Sequence, residues 1–530
     1  MGTWQRARSA SFLAVLMVVA LALPVAASDE AADLDAVYRI KSEGFNNSQV
    51  MNILRELTDV HGPRLTNSPG FFAAADYAVE LMTEWGLEDA RTEAWGEFGL
   101  GWSNERFYAH VTAPVPFPLI GYPKAWTPGT EGRVEAEAVI VAVTDESELE
   151  ALKGTLAGKF VLTQAPPETE PRWEAQASRY SAEDLAELAV APQPGARGRY
   201  ANFDMAAYRA AQALRTKVNN FLVAEGVAAV FEPSGRADSG TGGTLFVSSG
   251  GPRDPEEPAA PAQVVLTTDH YARVWRLLQN GQTVRMEVEI ASQFHDEDLQ
   301  GYNILAEFPG TDLADEVVIL GAHFDSWHAG TGATDNAAGS AAMLEAIRIL
   351  KQSGLQPRRT IRIALWSGEE QGLLGSRGWV ASNLADPAEM DLYPEHGKVS
   401  AYYNLDNGTG AIRGVYMQGN EAVEPIFAAW MKPLANLGMT TLTIRDTGGT
   451  DHLAFDAVGV PGFQFIQDPM EYRTRSHHSN FDTYERLVPA DMMKNAVIIA
   501  TFAYHTAMRD DLLPRKPLPE ATEGRGPFGF

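Results

Sequence analysis

The sequence predicts an α/β fold in which a mostly parallel central sheet is covered by helices and interrupted by an inserted β-rich domain. Three observations predict it. From residue 302 onward, apolar strands alternate with helices, which is typical of a parallel sheet buried on both faces. Between residues 125 and 290, short β segments recur instead, and turns rich in Gly, Pro and Asp separate several of them. The 530 residues also exceed what one hydrophobic core usually organises.

The main α/β domain is predicted in two parts, 28–124 and 291–511, followed by an extended tail, 512–530. The first part begins with two amphipathic helices, and strand-like alternation starts near Thr92. The second part alternates buried-type strands with helices. The helices are expected at 47–57, 71–85, 336–351, 422–437 and 490–508, and the strands at 317–320, 360–366, 400–405 and 462–466.

A separate β-rich insert is predicted for residues 125–290. A polar, Ala-rich and partly helical stretch, 168–219, lies within it. The alternative interpretation assigns the whole region to one larger sheet, but the recurrent short strands and turns favour an insert. Its strands are expected at 138–143, 159–163, 227–231, 244–247, 264–266 and 284–290.

Residues 1–27 have the pattern of a secretory signal peptide. Arg6 and Arg8 precede an apolar run at 12–23, and residues 25–27 (Val-Ala-Ala) form a small-residue cleavage site. The alternative is a membrane anchor, but a spanning helix needs about 20 apolar residues, more than this run supplies. We therefore expect a secreted or periplasmic protein that has no membrane contact after cleavage of the signal.

Composition excludes several classes of function. The formal net charge of −27 at pH 7 would repel nucleic acid and anionic lipid, so neither is expected as a partner. No cysteine is present, which excludes disulfides, thiolate metal sites and a cysteine nucleophile. Any metal must therefore be held by His, Asp and Glu. A glycine pattern at 330–335 loosely resembles a dinucleotide-binding loop, but Asp335 replaces its third glycine and would repel a pyrophosphate. The oligomeric state stays open, a homodimer included.

An ordered series of metal-type residues runs through the C-terminal half of the chain. Most of them lie at or just past the end of an expected strand, and ligands of open α/β sheets bind outside the carboxyl ends of strands. Three strands would therefore deliver candidate ligands to one rim. The series consists of His323, Asp335, Glu370, Asp406 and His478, with Glu369 directly beside Glu370.

Each of these residues also has an ordinary structural interpretation. A lone His after a strand is more often a polar loop residue than a metal ligand. Asp335 alone suits a helix N-cap, Glu369-Glu370 a solvated pair, and Asp406 a turn. The joint pattern favours a metal site because all of these independent interpretations would have to hold at matching strand ends.

The residue types suit two zinc ions and the hydrolysis of a substrate. Zinc binds His nitrogen and carboxylate oxygen, and paired metals can act on the attacking and leaving oxygens. A carboxylate that reaches both ions is needed, and Asp335, in its small-residue loop, fits. Because Glu369 and Glu370 are consecutive, their side chains point apart, so one can bind metal while the other acts on water. Asp325 lies two residues after His323, where it could orient the imidazole.

These motifs resemble the M28 family of zinc peptidases. The matching stretches are Gly-Ala-His323-Phe-Asp325-Ser, Thr-Asp335-Asn-Ala-Ala-Gly, Trp-Ser-Gly-Glu369-Glu370-Gln-Gly-Leu-Leu-Gly-Ser, Asn-Leu-Asp406, Gly-Gly-Thr-Asp451-His452 and His478-Ser-Asn-Phe-Asp482-Thr. They cover about 302–482. Residues 125–290 resemble, more weakly, the protease-associated insert of many members. The overall layout is most similar to the carboxypeptidase Q-like branch. The resemblance implies a zinc exopeptidase fold.

The resemblance also implies a role for each metal-type residue. One zinc ion would be held by His323 and Asp406, and the second by Glu370 and His478. Asp335 would bridge the two ions, and its peptide bond to Asn336 is expected to be cis, as in the family.

Three further residues receive roles in catalysis. The resemblance makes Glu369 the general base, which would then return the proton to the leaving amine. It places Asp325 behind the ligands. His477 is a departure, since many members have Tyr before the last ligand His. We hypothesise that His477 stabilises the developing oxyanion, although a spare His beside a ligand explains it equally well.

The function implied is that of a secreted di-zinc exopeptidase, an aminopeptidase or dipeptidase acting on a peptide substrate through metal-activated water. A carboxypeptidase on the same site is an alternative, and Arg473 and Arg475 near His478 suit a free carboxylate. A second alternative is a single-zinc, glutaminyl cyclase-like acyltransferase, but five ligands favour hydrolysis. A non-catalytic binding protein is disfavoured because every ligand and base position is filled.

Overall fold

The computed structural model describes residues 30–192, 204–235 and 243–521. The expected signal peptide, 1–27, lies outside these ranges. Of the expected tail, 512–530, residues 512–521 are described. No helix in the described ranges combines the length and the apolar character needed to cross a membrane.

The helices agree with most of those expected and add others. The prediction missed the helices at 34–46, 268–279, 374–383 and 452–456. The helices are α1 Leu34–Asn46, α2 Val50–Arg55, α3 Pro69–Glu84, α4 Ala182–Ala189, α5 Met205–Glu225, α6 Thr268–Gln279, α7 Ala338–Gln352, α8 Leu374–Asn383, α9 Glu424–Met431, α10 His452–Asp456 and α11 Pro489–Met508.

The strands fall into two large sheets and one small hairpin. They are β1 Glu88–Glu97, β2 Gly101–Ala113, β3 Phe117–Pro118, β4 Gly121–Pro123, β5 Val134–Ile140, β6 Phe160–Leu162, β7 Ala229–Pro233, β8 Gln263–Leu266, β9 Arg285–His295, β10 Gln300–Phe308, β11 Leu313–His323, β12 Arg359–Trp366, β13 Ala385–Asp386, β14 Asp391–Leu392, β15 Val399–Asn404, β16 Ile412–Tyr416, β17 Thr441–Thr443 and β18 Gly462–Gln467.

The main sheet has eight strands in the order β1-β10-β12-β11-β15-β18-β16-β17. Its four central strands, β12, β11, β15 and β18, are parallel to one another. Antiparallel pairs occur toward the edges, where β10 joins β1 and β12, and β16 joins β18. The predicted α/β fold is confirmed, with a parallel centre and mixed edges.

Both faces of the main sheet are covered, and residue alternation along β11 explains why. Val318 and Leu320 pack into the core that α7 and α11 cover, whereas Val317 and Ile319 face the opposite core beneath α8 and α10. All residues of α7 from Ala338 to Leu350 are buried, because this helix lies between the sheet and α11.

The second sheet also has eight strands, in the order β3-β2-β9-β5-β6-β7-β8-β4. Its strands run from Gly101 to His295, so they extend past both of the boundaries expected at 125 and 290. The chain leaves the main sheet after β1 and returns in β10, and these two strands pair with each other. Residues 244–247, expected as a strand, form an isolated bridge at Phe246 instead, because their neighbour is a loop of the main domain.

Candidate metal centre

The candidate ligands meet at the carboxyl ends of three neighbouring strands. His323 is the last residue of β11, Glu369 and Glu370 follow β12, and Asp406 follows β15. Because β11 lies between β12 and β15 and is parallel to both, these chain ends emerge at one rim. The rim predicted from the sequence is therefore present in the fold.

Asp335 lies between two histidines. It occupies the turn before α7, and its peptide bond to Asn336 is cis, as expected. Its Oδ1 atom is 3.2 Å from Nε2 of His323, and its Oδ2 atom is 3.2 Å from Nε2 of His478. The two oxygens of one carboxylate therefore face two different imidazoles.

A further carboxylate lies beside each of these histidines. Oδ1 of Asp406 is 3.5 Å from Nε2 of His323. Oε2 of Glu370 is 2.9 Å from Nε2 of His478. The five side chains thus form two His-carboxylate groups that share Asp335.

The buried polar atoms of this cluster fit a metal site. Among the described residues, Nε2 of His323, Oδ2 of Asp335, Oε1 of Glu370 and Oδ1 of Asp406 are buried and make no well-directed hydrogen bond. Buried polar atoms without such a bond are uncommon and need a partner of another kind. Nitrogen and carboxylate oxygen are the donors that zinc prefers, so candidate metal-binding groups are present.

The electrostatics of the cluster point the same way. Burial alone would lower the pKa of His478, but the charges of Glu370 and Asp335 outweigh it and raise the pKa to about 10. Burial would likewise lower the pKa of His323, yet the charges of Glu369 and Asp406 raise it well above its usual value. The surrounding carboxylates therefore favour positive charge at both imidazoles.

Glu369 lies at the edge of the cluster with its carboxylate toward His323. Its Oε2 atom is 3.9 Å from Nε2 of that histidine, and the residue is 9% exposed. Burial, together with the charges of Asp406 and Asp451, raises the pKa of Glu369 well above its usual value, although His323 opposes the shift. A carboxyl group of this kind readily takes up a proton, as a general base must.

Asp325 supports the turn that carries Glu369 and Glu370. Its carboxylate accepts hydrogen bonds from the backbone N–H groups of Glu369 (3.2 Å) and Glu370 (3.3 Å) and from the hydroxyl of Thr66 (3.0 Å). Nδ1 of His323 is 3.0 Å from the backbone oxygen of Asp325 but 3.7 Å from its carboxylate. The backbone oxygen is thus the closer partner of the imidazole, which leaves Nε2 directed at the cluster.

Two supporting residues received no role from the sequence. Asp482, buried, accepts hydrogen bonds from the backbone N–H groups of Thr334 (2.5 Å) and Asp335 (3.1 Å) and so holds the bridging loop. Burial and the charge of Asp335 raise the pKa of Asp482 to about 7. Asp482 belongs to the motif that begins at His478, which was the available signal.

Arg64 is the second supporting residue, and it lies fully buried beneath the rim. Its guanidinium donates to the carbonyl oxygens of Phe324 (2.8 Å), Leu57 (2.7 Å), Thr331 (3.0 Å) and Gly332 (2.9 Å). Burial lowers the pKa of Arg64 to about 10. These contacts join the N-terminal part of the chain to the His323 strand and the Asp335 loop. No sequence motif indicates them, because the partners are distant along the chain.

His477 lies at the mouth of the centre. Its ring stacks on that of His478 with 3.7 Å between centroids, and its Nε2 atom is 4.0 Å from Oδ2 of Asp335. Its side chain is 27% exposed, so a substrate can reach it. The edge of Tyr472 packs against it, with 4.9 Å between ring centroids.

Arg475, which suits a free carboxylate, and Asp451, from one of the matching motifs, both lie outside the cluster of candidate ligands. Arg475 pairs with Glu471 at 3.4 Å and lies over the ring of Phe481, so its charge already has a partner. Asp451 is completely buried, and burial raises its pKa to about 7. Its charge contributes to the raised pKa of Glu369.

Comparison with known proteins shows which family and which proteins this chain is similar to. Residues 303–503 match the family model of peptidase family M28. Carboxypeptidase Q from Rattus norvegicus is 30% identical over 250 residues, which are 47% of this chain and 50% of that protein. Leupeptin-inactivating enzyme 1 from Streptomyces exfoliatus is 36% identical over 163 residues, 30% of this chain and 34% of its own length. The chain thus spans about half the length, or less, of these curated relatives.

Solved structures share the fold over most of the chain. A peptidase M28 precursor from Shewanella amazonensis superimposes with a TM-score of 0.63 at 23% identity, covering 92% of this chain and 98% of that one. An aminopeptidase from Aneurinibacillus sp. strain AM-1 gives a TM-score of 0.52 at 20% identity, covering 91% and 98%. The match to the family model of peptidase family M28 spans all the candidate metal ligands and Glu369.

Proposed function

We propose that this chain is a di-zinc exopeptidase that hydrolyses peptide bonds near a chain terminus, as an aminopeptidase or a dipeptidase. One observation carries the proposal. The two carboxylate oxygens of Asp335 face Nε2 of His323 and Nε2 of His478, each at 3.2 Å. A carboxylate between two imidazoles, each with a carboxylate of its own, is the donor arrangement that a pair of zinc ions requires.

The ligands divide into two sets in this proposal. His323 and Asp406 would hold one zinc ion, Glu370 and His478 would hold the other, and Asp335 would be shared. Bound zinc supplies Lewis-acid chemistry, which activates water and polarises the scissile carbonyl.

Glu369 handles the proton in the reaction. Its carboxylate accepts a proton from the attacking water and then donates that proton to the nitrogen of the departing amine. Its raised pKa favours the first step, since a more basic carboxylate binds the proton more readily. Asp325 keeps the Glu369 backbone in place through the hydrogen bond at 3.2 Å. We assign His477, which is exposed at the mouth, to the developing charge on the carbonyl oxygen.

The end of the peptide that enters the centre is a separate question. Relatives named carboxypeptidase Q support the carboxypeptidase alternative. Arg475 weakens it, because Glu471 and Phe481 already engage the guanidinium that would hold a free carboxylate. The acyltransferase alternative needs one zinc ion, whereas the shared position of Asp335 favours two.

A substrate panel tests the proposal. Free, N-blocked and C-blocked dipeptides are assayed with untreated protein, with chelator, and after zinc is added back. We expect hydrolysis of the free dipeptide, its loss with chelator and its return with zinc. Cleavage of N-blocked but not C-blocked substrates would establish the carboxypeptidase alternative. No cleavage of any peptide by protein that has bound zinc would contradict the proposed function.

A further inference from the structure

The second sheet reaches the metal centre through a short docking segment, residues 243–247, between β7 and β8. This segment lies against the loop of the main domain that carries His478. Phe246 and Ser479 form an isolated antiparallel bridge, and the N–H group of Val247 donates to the carbonyl oxygen of His478 at 3.3 Å. A ligand of the main domain is therefore held from the other sheet.

Asn480 strengthens this contact with both its backbone and its side chain. Its backbone N–H group donates to the carbonyl oxygen of Leu245 at 3.1 Å. Its side-chain oxygen accepts from the N–H group of Leu245 at 2.7 Å, and its side-chain nitrogen donates to the carbonyl oxygen of Gly243 at 3.0 Å. Three hydrogen bonds thus tie a residue two positions after His478 to the docking segment.

Aromatic contacts fix the imidazole itself. The ring of Phe246 stacks on that of His478 with 5.6 Å between centroids and an interplanar angle of 29°. The edge of Trp327 approaches from another side at 6.3 Å. The N–H group of Phe246 donates to the hydroxyl of Ser234 at 3.1 Å, which fastens the segment to the end of β7.

The backbone of His478 needs such support. Its φ angle of +56° lies in the left-handed region, which residues with a side chain seldom adopt without surrounding contacts. His323 is set differently, because it ends a central strand of the main sheet that is paired on both sides. Asp406, two residues past β15, likewise depends on that sheet.

We propose that the docking segment positions His478 for metal binding, so that the second sheet controls one of the two zinc half-sites. This inference rests on the proposed function. Docking raises the zinc affinity of the half-site formed by Glu370 and His478 and leaves that of His323 and Asp406 unchanged. Phe246 and Asn480 are positioning residues in this scheme, since they act through His478.

Zinc titration of the full-length chain against a chromophoric chelator tests the inference. We expect two tight equivalents in the unaltered chain. In Asn480→Ala and Phe246→Ala we expect one tight equivalent and one weakened by roughly 10- to 100-fold, the usual effect of losing a residue that orients a ligand. Asn480→Asp, which keeps the acceptor for Leu245, should fall in between. Phe294→Ala and Asn46→Ala change exposed residues of the same types and should bind zinc as the unaltered chain does.

Double variants identify the half-site that is affected. In the His323→Ala variant, tight zinc binding remains at the half-site of Glu370 and His478. Adding Asn480→Ala should weaken the zinc affinity of this half-site. With His478→Ala, adding Asn480→Ala should change nothing. Equal weakening of both equivalents, or no weakening, would overturn the docking role while leaving the proposed function intact. A single equivalent in the unaltered chain would refute the di-zinc proposal itself. If the alanine variants do not fold, Phe246→Leu, which keeps an apolar side chain but removes the ring, replaces them in the same zinc titration.

Discussion

At the residue scale, Asp335 determines what the centre can do, because its two oxygens serve different histidines. Each oxygen is 3.2 Å from an imidazole nitrogen, so one carboxylate relates the two groups of ligands. Asp482 holds the bridging loop by accepting from its backbone N–H groups. The position of Asp335 is thus fixed through its backbone as well as through the two histidines beside its carboxylate.

Replacing Glu369 with Gln removes the proton acceptor and keeps the size of the side chain. We expect kcat to fall by roughly 10²- to 10⁴-fold, the usual contribution of a general base. Zinc content should not change, since Glu370 is the ligand. Steady-state kinetics and metal analysis of the same preparation measure both. Glu389→Gln, at an exposed position, is the matched control and should retain full turnover. Full turnover in Glu369→Gln would exclude this residue as the base.

His477→Ala tests the second catalytic assignment. If His477 stabilises charge on the carbonyl oxygen, its removal should lower kcat by roughly 10²-fold with little change in KM, because the interaction forms in the transition state. His477→Gln, which keeps an N–H donor, should recover part of the rate. Unchanged turnover in His477→Ala would leave this residue as a spare histidine beside a ligand.

At the scale of elements, β12, β15 and β18 of the main sheet were predicted to within a residue or two, whereas β11 extends beyond both of its predicted ends and β16 and β17 were not predicted. Each of the first three is an apolar run with a sharp end, and the chemistry follows that end directly. The helix α6 was missed because its amphipathic pattern lies in a region dominated by short strands. Residues 244–247 were misassigned because Phe246 forms an isolated bridge with Ser479, which lies far away along the chain.

The site was predictable where its motifs are local and hidden where its contacts are long-range. The order of the motifs along the chain predicted that the five expected ligands and Glu369 lie together. Arg64 carried no such signal, since it bonds to Phe324 and Gly332, about half the chain away. Pairings of this kind depend on the folded topology, which the local pattern does not record.

Arg64→Met should destabilise the fold. It removes a buried guanidinium that donates to four carbonyl oxygens. We expect a loss of about 3 kcal/mol or more in the free energy of unfolding, because each bond to a charged donor contributes about 1.5–3 kcal/mol. Urea denaturation measures it. Arg55→Met removes an exposed arginine paired with its neighbour Glu56, and should cost less than about 1 kcal/mol. Equal losses in the two variants would contradict the role of Arg64.

At the scale of the whole molecule, two sheets share one metal centre. The main sheet presents His323, Glu370 and Asp406 at a single rim, and the second sheet holds the loop of His478. Pairing of β1 with β10 brings the two connections between the sheets side by side. Stability and metal binding are therefore expected to be linked across the whole chain.

The pH dependence of thermal stability should differ between zinc-free and zinc-loaded protein. The pKa of His478 is raised to about 10, so its stabilising effect without zinc is fully present below its unfolded pKa and is lost as pH rises from there toward the folded pKa of about 10. Burial raises the pKa of Glu370 to about 7, so its ionisation also destabilises the zinc-free fold as pH rises. The affinity for zinc rises as pH rises, because protons compete with zinc for the same ligand atoms.

The Tm difference between zinc-loaded and chelated protein should therefore widen between about pH 6 and about pH 8. Differential scanning calorimetry at constant ionic strength measures it. A difference that narrows over this range would contradict the competition between protons and zinc. Absence of any difference at both pH values would show that metal binding is not coupled to folding.

We propose that two zinc ions share Asp335. Anomalous diffraction from zinc-loaded crystals, recorded on both sides of the zinc absorption edge, measures their number and positions. We expect two anomalous peaks about 3.5–4 Å apart, one on each side of the Asp335 carboxylate. One peak should lie against His323 and Asp406, and the other against Glu370 and His478. A single peak, or two peaks that do not share Asp335, would contradict this proposal.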